Sequence, residues 1–256
     1  MGHPHDPAAL SALMPAGLDL SAAPPEGRAV LSTILARRSV RGFLPDPVSR
    51  DTVEAILAVA SRAPSGSNIQ PWKVHVCAGA VRDAICSEVL AAHDAEADDP
   101  AAGEQYRDEY RYYPEKWRDP YLARRRDLGW ALYGAVGIAR GENDKMHRQR
   151  GRNFSFFGAP VGLVFTLDRD LSVGSWIDLG MFMQNAMIAA RAYGLETCPQ
   201  QAFARYHRIL REHLAIPDDQ IVVCAMALGL PDPDEPANRL VSTREPVAAF
   251  GSFHGF

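Results

Sequence analysis

Residues 37–43 read RRSVRGF and place Arg37, Ser39 and Arg41 at every second position. In an extended backbone successive side chains alternate between faces, so these three point the same way. Two forked, permanently charged guanidiniums beside a hydroxyl suit an oxyanion such as a phosphate. Taken alone, a solvated basic turn after a helix is the stronger reading. The rest of the chain has to decide.

Upstream, Val30, Leu31, Ile34 and Leu35 recur at helical spacing over 29–36. Downstream, Ser49 can cap a helix over 49–62 with Val53, Ile56, Leu57 and Ala60 on one face. That helix stops at PSGSNIQPW (64–72), a loop by composition. WKVHVCAG (72–79) alternates like a strand, and 81–92 reads as a helix. PVGLVFTLD (160–168) and IVVCAMALG (221–229) read as buried strands, and 176–194 as a long apolar helix closed by Gly194. GLETCPQQAF (194–203) reads as a Pro-fixed turn with outward backbone N–H groups, and 240–256 as extended chain. The segment 94–130 differs in kind. It is charged, rich in Tyr and Trp, and broken by Pro100, Pro114 and Pro120, which suits a lid or insertion. Residues 1–26 read as an irregular arm. No repeat or linker divides 27–256, so one α+β domain is expected.

Composition excludes several classes. With 27 basic against 31 acidic side chains there is no field for nucleic acid or an anionic membrane. No apolar run approaches a membrane span, and the first residues lack a signal-peptide pattern, so a cytoplasmic protein is expected. Cys77, Cys86, Cys198 and Cys224 have no CxxC spacing and read as buried free thiols. No His or Cys pair has ligand spacing, so no metal is expected.

Three separated segments share a character: RRSVR, PSGSNIQPW, and VSTRE (241–245) with its own hydroxyl–arginine pair, Ser242 and Arg244. With NFSFFGAPVG, GSWIDLGMFMQNAM and GLETCPQQAF between the second and third of them, they make the chain resemble the flavin-dependent nitroreductase family from about Ile34 onward, in its nitrobenzoate-reductase-like branch. The resemblance implies a nitroreductase-like α+β fold, a central, mostly antiparallel sheet flanked by helices, with FMN at a homodimer interface. Absence of a GxGxxG fingerprint agrees with FMN over FAD.

Carried over by position, Arg37 and Arg244 would meet the FMN phosphate, Ser39 the phosphate or ribityl chain, and Arg41 the N1/O2 edge of the ring. Pro64, Ser65, Gly66 and Asn68 would come from the partner subunit. Backbone amides at Gln201 and Ala202, after Pro199 and Gln200, would face N5 and O4. Arg38, Gln70 and Ser242 complete the expected cofactor set, although Arg38 also reads as a surface ion pair and Gln70 as a loop cap. Two departures stand out: Ser242 replaces the lysine of many members, and Gln201 the glutamate of some. Trp72 reads as core. Phe154, Phe156 and Phe157 read equally as core or substrate wall, and Met181, Met183 and Met187 as packing, with their helix at the dimer centre.

The implied activity takes hydride from NADH or NADPH through the flavin to a nitroaromatic or quinone-like acceptor, by a ping-pong mechanism. No side chain is required as acid or base. The alternatives are a same-fold enzyme of deiodinase or dimethylbenzimidazole-synthase type, or a flavin-binding protein without catalysis.

Overall fold

In the computed structural model, which describes Met14 and residues 18–255, helix α1 (Pro25–Ala36) begins at Pro25 rather than Ala29. Proline in the first turn gives up no hydrogen bond there, and Glu26 favours the positive end of the helix dipole. Most of the expected irregular arm, Leu10 and Leu13 included, lies outside the described residues. Helix α2 (Arg50–Ala60) is capped as expected. The Ser49 hydroxyl accepts the Thr52 N–H at 3.1 Å, and Val53, Ile56 and Ala60 are buried. There follow β1 (Lys73–Ala78), α3 (Gly79–Asp98), α4 (Tyr121–Ala135), α5 (Asn143–Gly151), β2 (Val161–Asp168), α6 (Val173–Ala192), β3 (Glu196–Gln200), α7 (His207–Leu214) and β4 (Gln220–Gly229).

Among the described residues these strands make one sheet in the order β1-β2-β4-β3, with every neighbouring pair antiparallel. Helices cover both faces, which is why β2 and β4 read as continuous apolar runs. Val161, Leu163, Phe165 and Leu167 pack with Ile56 of α2 and with Leu179 and Phe182 of α6. Val164, Val222, Ala225 and Ala227 share the opposite core with Ile85, Val89, Leu210 and Phe156. The Phe156 ring crosses the sheet at Gly162, where an added Cβ would lie 2.5 Å from its Cζ. Trp72 stacks on Phe182 at 4.9 Å, and Phe154, Phe156 and Phe157 are all core. The four cysteines are free and buried.

Two expectations needed correction. The expected turn at 196–200 is strand β3. It tolerates Pro199 because it is a sheet-edge strand, paired with β4 on one side. The C-terminal stretch is not extended throughout: 241–250 is exposed and turns as a 3-10 helix at Val247–Ala249, with no strand pairing among the described residues. No helix among the described residues is long and apolar enough to cross a membrane.

Candidate functional site

The chain leaves α1 at Arg37 and runs as a strap along the outer edge of β3. Ser39 pairs in parallel with Thr197, and the Val40 N–H donates to Thr197 O at 3.1 Å. The Arg41 N–H donates to Asn238 Oδ1 at 2.7 Å, and the Leu44 N–H to Leu230 O at 2.9 Å. Val40 is buried, while Arg37, Ser39 and Arg41 stay half-buried and Arg38 is exposed. Asn238 secures the strap with both ends of its amide, donating through Nδ2 to Gly42 O at 2.9 Å and Asp232 O at 3.0 Å. The strap also needs a glycine: a Cβ on Gly42 would lie 2.3 Å from Glu235 Cγ.

Electrostatics show what gathers around the strap. Burial, then repulsion from Arg244, holds the Arg37 guanidinium below its ordinary pKa, against a smaller pull from Glu196. Burial pushes the Cys198 thiol up to about 11, although Arg41 and Arg37 both draw it down. Arg37 and Arg41 thus lie within electrostatic reach of Cys198 at the middle of β3, and Arg244 within reach of Arg37. Arg244 is exposed and folds back on its own segment, donating to Ser242 Oγ and Thr243 O, both at 2.8 Å. Crowding two guanidiniums is unfavourable unless an anion lies between them. On β3, the buried Thr197 Oγ1 and Gln200 Oε1 have no hydrogen-bond partner. Positive charge on the strap beside the unpaired Thr197 hydroxyl fits a phosphorylated, hydrogen-bonding ligand. Glu196, whose carboxyl burial pushes up, is ion-paired to Arg191 and attracted by Arg38 and Arg37.

The loop 64–70 is a preformed knob. Ser67, Asn68 and Gln70 hold left-handed φ values of 50°, 59° and 50°, uncommon for residues other than glycine. The Ser65 hydroxyl accepts the Gln70 N–H at 3.0 Å, and Gln70 Nε2 donates to Asn68 O at 3.2 Å, so Gln70 closes the loop. Gly66 N–H ties it to α6 through Asp178 Oδ2 at 3.2 Å. Pro64, Gly66, Asn68 and Gln70 are exposed and Ser65 is half-buried.

Pro199 and Gln200 lead into a 3-10 turn, Gln201–Tyr206, which no side chain caps. Gln200 Nε2 donates to Asn153 O at 2.6 Å. The lid closes over this end of the sheet. Register slips between β2 and β4 so that Phe165 faces Cys224 and Thr166 faces Val222, leaving Val223 as a bulge. The Tyr110 hydroxyl donates to the freed Val223 O at 2.5 Å. Glu109 Oε2 accepts the Val222 N–H at 3.4 Å and pairs with Arg211 at 3.1 Å and with Arg169. Arg124 of α4 pairs with Glu245, beside Arg244, at 2.9 Å. The lid is therefore bolted to the body and tethers the C-terminal arm.

Away from this site the fold brings His147 to the adjacent pair His93 and Asp94. The two imidazoles stack in parallel at 4.1 Å with an interplanar angle of 0°, so their in-plane lone pairs do not converge on one ion. His147 Nε2 meets Asp94 Oδ1 at 2.8 Å, and the cluster pins α5 to α3.

The nitroreductase family model matches residues 34–230. The chain belongs to the nitroreductase family. It is 39% identical to the 4-nitrobenzoate reductase of Pseudomonas putida, over 88% of this chain and 95% of that protein. Among solved structures it resembles the FMN and NADPH-dependent nitroreductase NfnB of Sphigopyxis sp. strain HMH, with 35% identity and a TM-score of 0.81. That likeness covers 89% of this chain and 98% of that one. It also resembles the FMN-dependent nitroreductase NfnB from Mycobacterium smegmatis, solved in complex with NADPH. There the identity is 28% and the TM-score 0.83, over 90% of this chain and 99% of that one.

Of the residues picked from sequence, this nitroreductase lays Arg37, Ser39 and Arg41 along β3, sets Arg244 within electrostatic reach of Arg37, and buries Gln200 on β3 itself. The 64–70 loop is held by α6 and by itself. Sequence reasoning missed Asn238, Glu109 and Tyr110. Asn238 hides in the turn-rich PDPDEPAN and Tyr110 among the tyrosines of the lid; neither carries a local signal.

Proposed function

We propose that this nitroreductase is a cytoplasmic, homodimeric FMN enzyme that passes hydride from NADH or NADPH to a small nitroaromatic or quinone-like acceptor in ping-pong fashion. The observation that carries the reading is the strap that lays Arg37, Ser39 and Arg41 along β3, where Ser39 pairs with Thr197 and the buried Thr197 hydroxyl has no hydrogen-bond partner. The names of its relatives supply the chemistry, since FMN and NADPH are stated for the NfnB enzymes and nitrobenzoate reduction for the Pseudomonas protein.

Arg37 and Arg244 would hold the phosphate, with Ser39 and Ser242 as neighbouring hydroxyls and Arg38 on the rim. Arg41 would lie against the ring, where a fixed cation favours added negative charge. Backbone amides at Gln201 and Ala202 would fix the opposite ring edge. FMN, when bound, supplies the redox chemistry by accepting hydride from the nicotinamide and returning it to the acceptor. The residues of this chain orient the reactants and keep water away, which is how proximity lowers the barrier.

A homodimer accounts for the exposed knob at 64–70, which would reach the partner's cofactor. Val30, Leu31 and Ile34 of α1 and Val173 and Ile177 of α6 offer exposed apolar surface, and an obligate interface should bury more than about 2,000 Å². Cofactor released on denaturation should be FMN by chromatography. Anaerobic NADH or NADPH should bleach the yellow protein, and a nitroaromatic should recolour it. FAD alone, or a colour that persists with both donors, would overturn the reading. Sedimentation should find a dimer; a folded monomer that retains flavin would remove the homodimer.

A further inference from the structure

The 64–70 loop keeps its shape against local preference. Ser67, Asn68 and Gln70 sit in the left-handed region, which residues other than glycine hold only where their surroundings over-determine it. Most of the loop's hydrogen bonds are internal. The Asn68 N–H donates to Ser65 O at 3.0 Å and the Ile69 N–H to Gly66 O at 3.1 Å, alongside the bonds that Gln70 makes. Internal bonds fix a shape but not a position. Among the described residues, the one hydrogen bond that leaves the loop for another element runs from the Gly66 N–H to Asp178 Oδ2 of α6, at 3.2 Å. Asp178 is only 7% exposed, and none of the ion pairs among the described residues includes it. A buried carboxylate is costly unless hydrogen bonds compensate it, and the Gly66 N–H supplies a charge-assisted one. One turn along α6, Phe182 stacks on Trp72 at 4.9 Å, so positions 178 and 182 hold the loop near both of its ends. On another face of the same helix, Val173 and Ile177 are 72% and 62% exposed, the apolar surface offered to a partner.

We propose that Asp178 is a positioning residue that acts in trans. By anchoring Gly66 to the helix that bears the partner-facing surface, it fixes where the knob meets the cofactor on the partner's strap. The proposal rests on the homodimeric FMN reading above. It adds to that reading a residue that lies outside strap, arm and knob and touches no cofactor itself.

Asp178→Ala removes the anchor, whereas Asp178→Asn keeps an acceptor for the same N–H. By titration, the Asp178→Ala homodimer should bind FMN about tenfold to hundredfold more weakly, and Asp178→Asn only about fivefold. The deciding measurement uses mixed dimers, purified through two different affinity tags, with Asp178→Ala in one protomer and Arg37→Ala in the other. If Asp178 serves the partner's site, one site combines an intact strap with an intact knob, and the other collects both defects. Half of the sites should then bind FMN with wild-type affinity, although both parent homodimers bind it weakly. A defect confined to the mutated protomer would spoil that protomer's own strap and leave no such site. Wild-type affinity in the Asp178→Ala homodimer, or a mixed dimer without a wild-type site, would overturn the proposal. Should Asp178→Ala fail to fold, the same mixed dimer made with Asp178→Asn carries the test, with a smaller separation between homodimer and rescued site. A wild-type chain that is monomeric or takes up no FMN would instead overturn the parent reading, and this proposal with it.

Discussion

Ser39–Arg41 and Ser242–Arg244 repeat one spelling, hydroxyl and arginine two residues apart, yet they stand in different physical situations. The first pair rides on a strap bonded to Thr197, Asn238 and Leu230 and is half-buried. The second hangs on an exposed arm, its guanidinium caught by its own Ser242 and Thr243. The family match ends at residue 230, before the arm begins. Alternating spacing fixes the direction of side chains only where the backbone has partners. Preorganisation should therefore concentrate phosphate affinity in the strap and leave the arm as an adjustable second hand.

The largest effect should come from removing the strap's fastening. Asn238→Ala leaves the Arg41 N–H and the Asp232 carbonyl without these partners, while the Gly42 carbonyl keeps only the Asp232 N–H. Orphaned buried groups cost about 1–3 kcal/mol each, and with partial access of water roughly 3 kcal/mol in total is expected. The urea midpoint should fall and FMN affinity with it. A wild-type midpoint would mean that the strap is held elsewhere and that the contrast with the arm is one of exposure only. Next comes Arg37→Ala. Loss of a charged hydrogen bond, about 1.5–3 kcal/mol, predicts a tenfold to hundredfold weaker FMN complex by titration. Arg41→Ala should leave affinity closer to normal and slow reduction instead.

How much of this was readable depends on where each residue's partner lies in the chain. β2, β4 and the cap of α2 were legible because apolar runs and Ser49 act on their own neighbours. The order of the arginine and loop motifs was legible as well. β3 was not, because Glu196, Thr197 and Gln200 are buried polar residues around a proline, a composition that resembles a turn. The Asn238 clamp on Arg41 and the Glu109–Tyr110 anchor at the Val223 bulge depend on partners more than a hundred residues distant, with no periodicity to announce them.

The lid enters the comparison because it tethers the arm, and its own anchor should respond to acid. Burial alone would raise the Glu109 carboxyl. Hydrogen bonds from Arg169 and Arg211 and the nearby His207 ring overcome that and hold it below its ordinary value. A depressed carboxylate contributes stability that is complete above its unfolded pKa, near 4.3, and lost as pH falls through the folded value. Burial depresses His207 too, so the native state binds fewer protons than the unfolded chain and stability begins to decline below about pH 6.5. Glu109→Gln should lower stability by roughly 2 kcal/mol at neutral pH, with the gap to wild type closing below about pH 4 in thermal scans. A gap independent of pH would show that the carboxylate's charge is not what seats the lid.

On the arm itself, effects should be smaller. Arg244→Ala should weaken FMN by no more than about tenfold, the lower end for a charged hydrogen bond, because the exposed guanidinium must be reoriented from Ser242 before it can serve a phosphate. The effect should fade with added salt sooner than that of Arg37→Ala, since screening acts most strongly on exposed charges. Equal losses at all ionic strengths would erase the contrast between strap and arm.

The smallest effect probes how the arm is placed at all. Arg124 and Glu245 are each about half exposed and pair at 2.9 Å. Exposed ion pairs of this kind contribute about 0.2–1 kcal/mol, so neither Arg124→Ala nor Glu245→Ala should change global stability appreciably. If the pair serves to aim the adjacent Arg244, that energy should appear in cofactor affinity, as a loss of up to about fivefold. In an Arg244→Ala background, removing Arg124 should then have no further effect on FMN binding, because nothing remains for the tether to aim. A loss that persists in that background would mean that Arg124 acts on the cofactor directly or through the lid. Arm and strap would then differ in which element delivers the charge as well as in how firmly it is held.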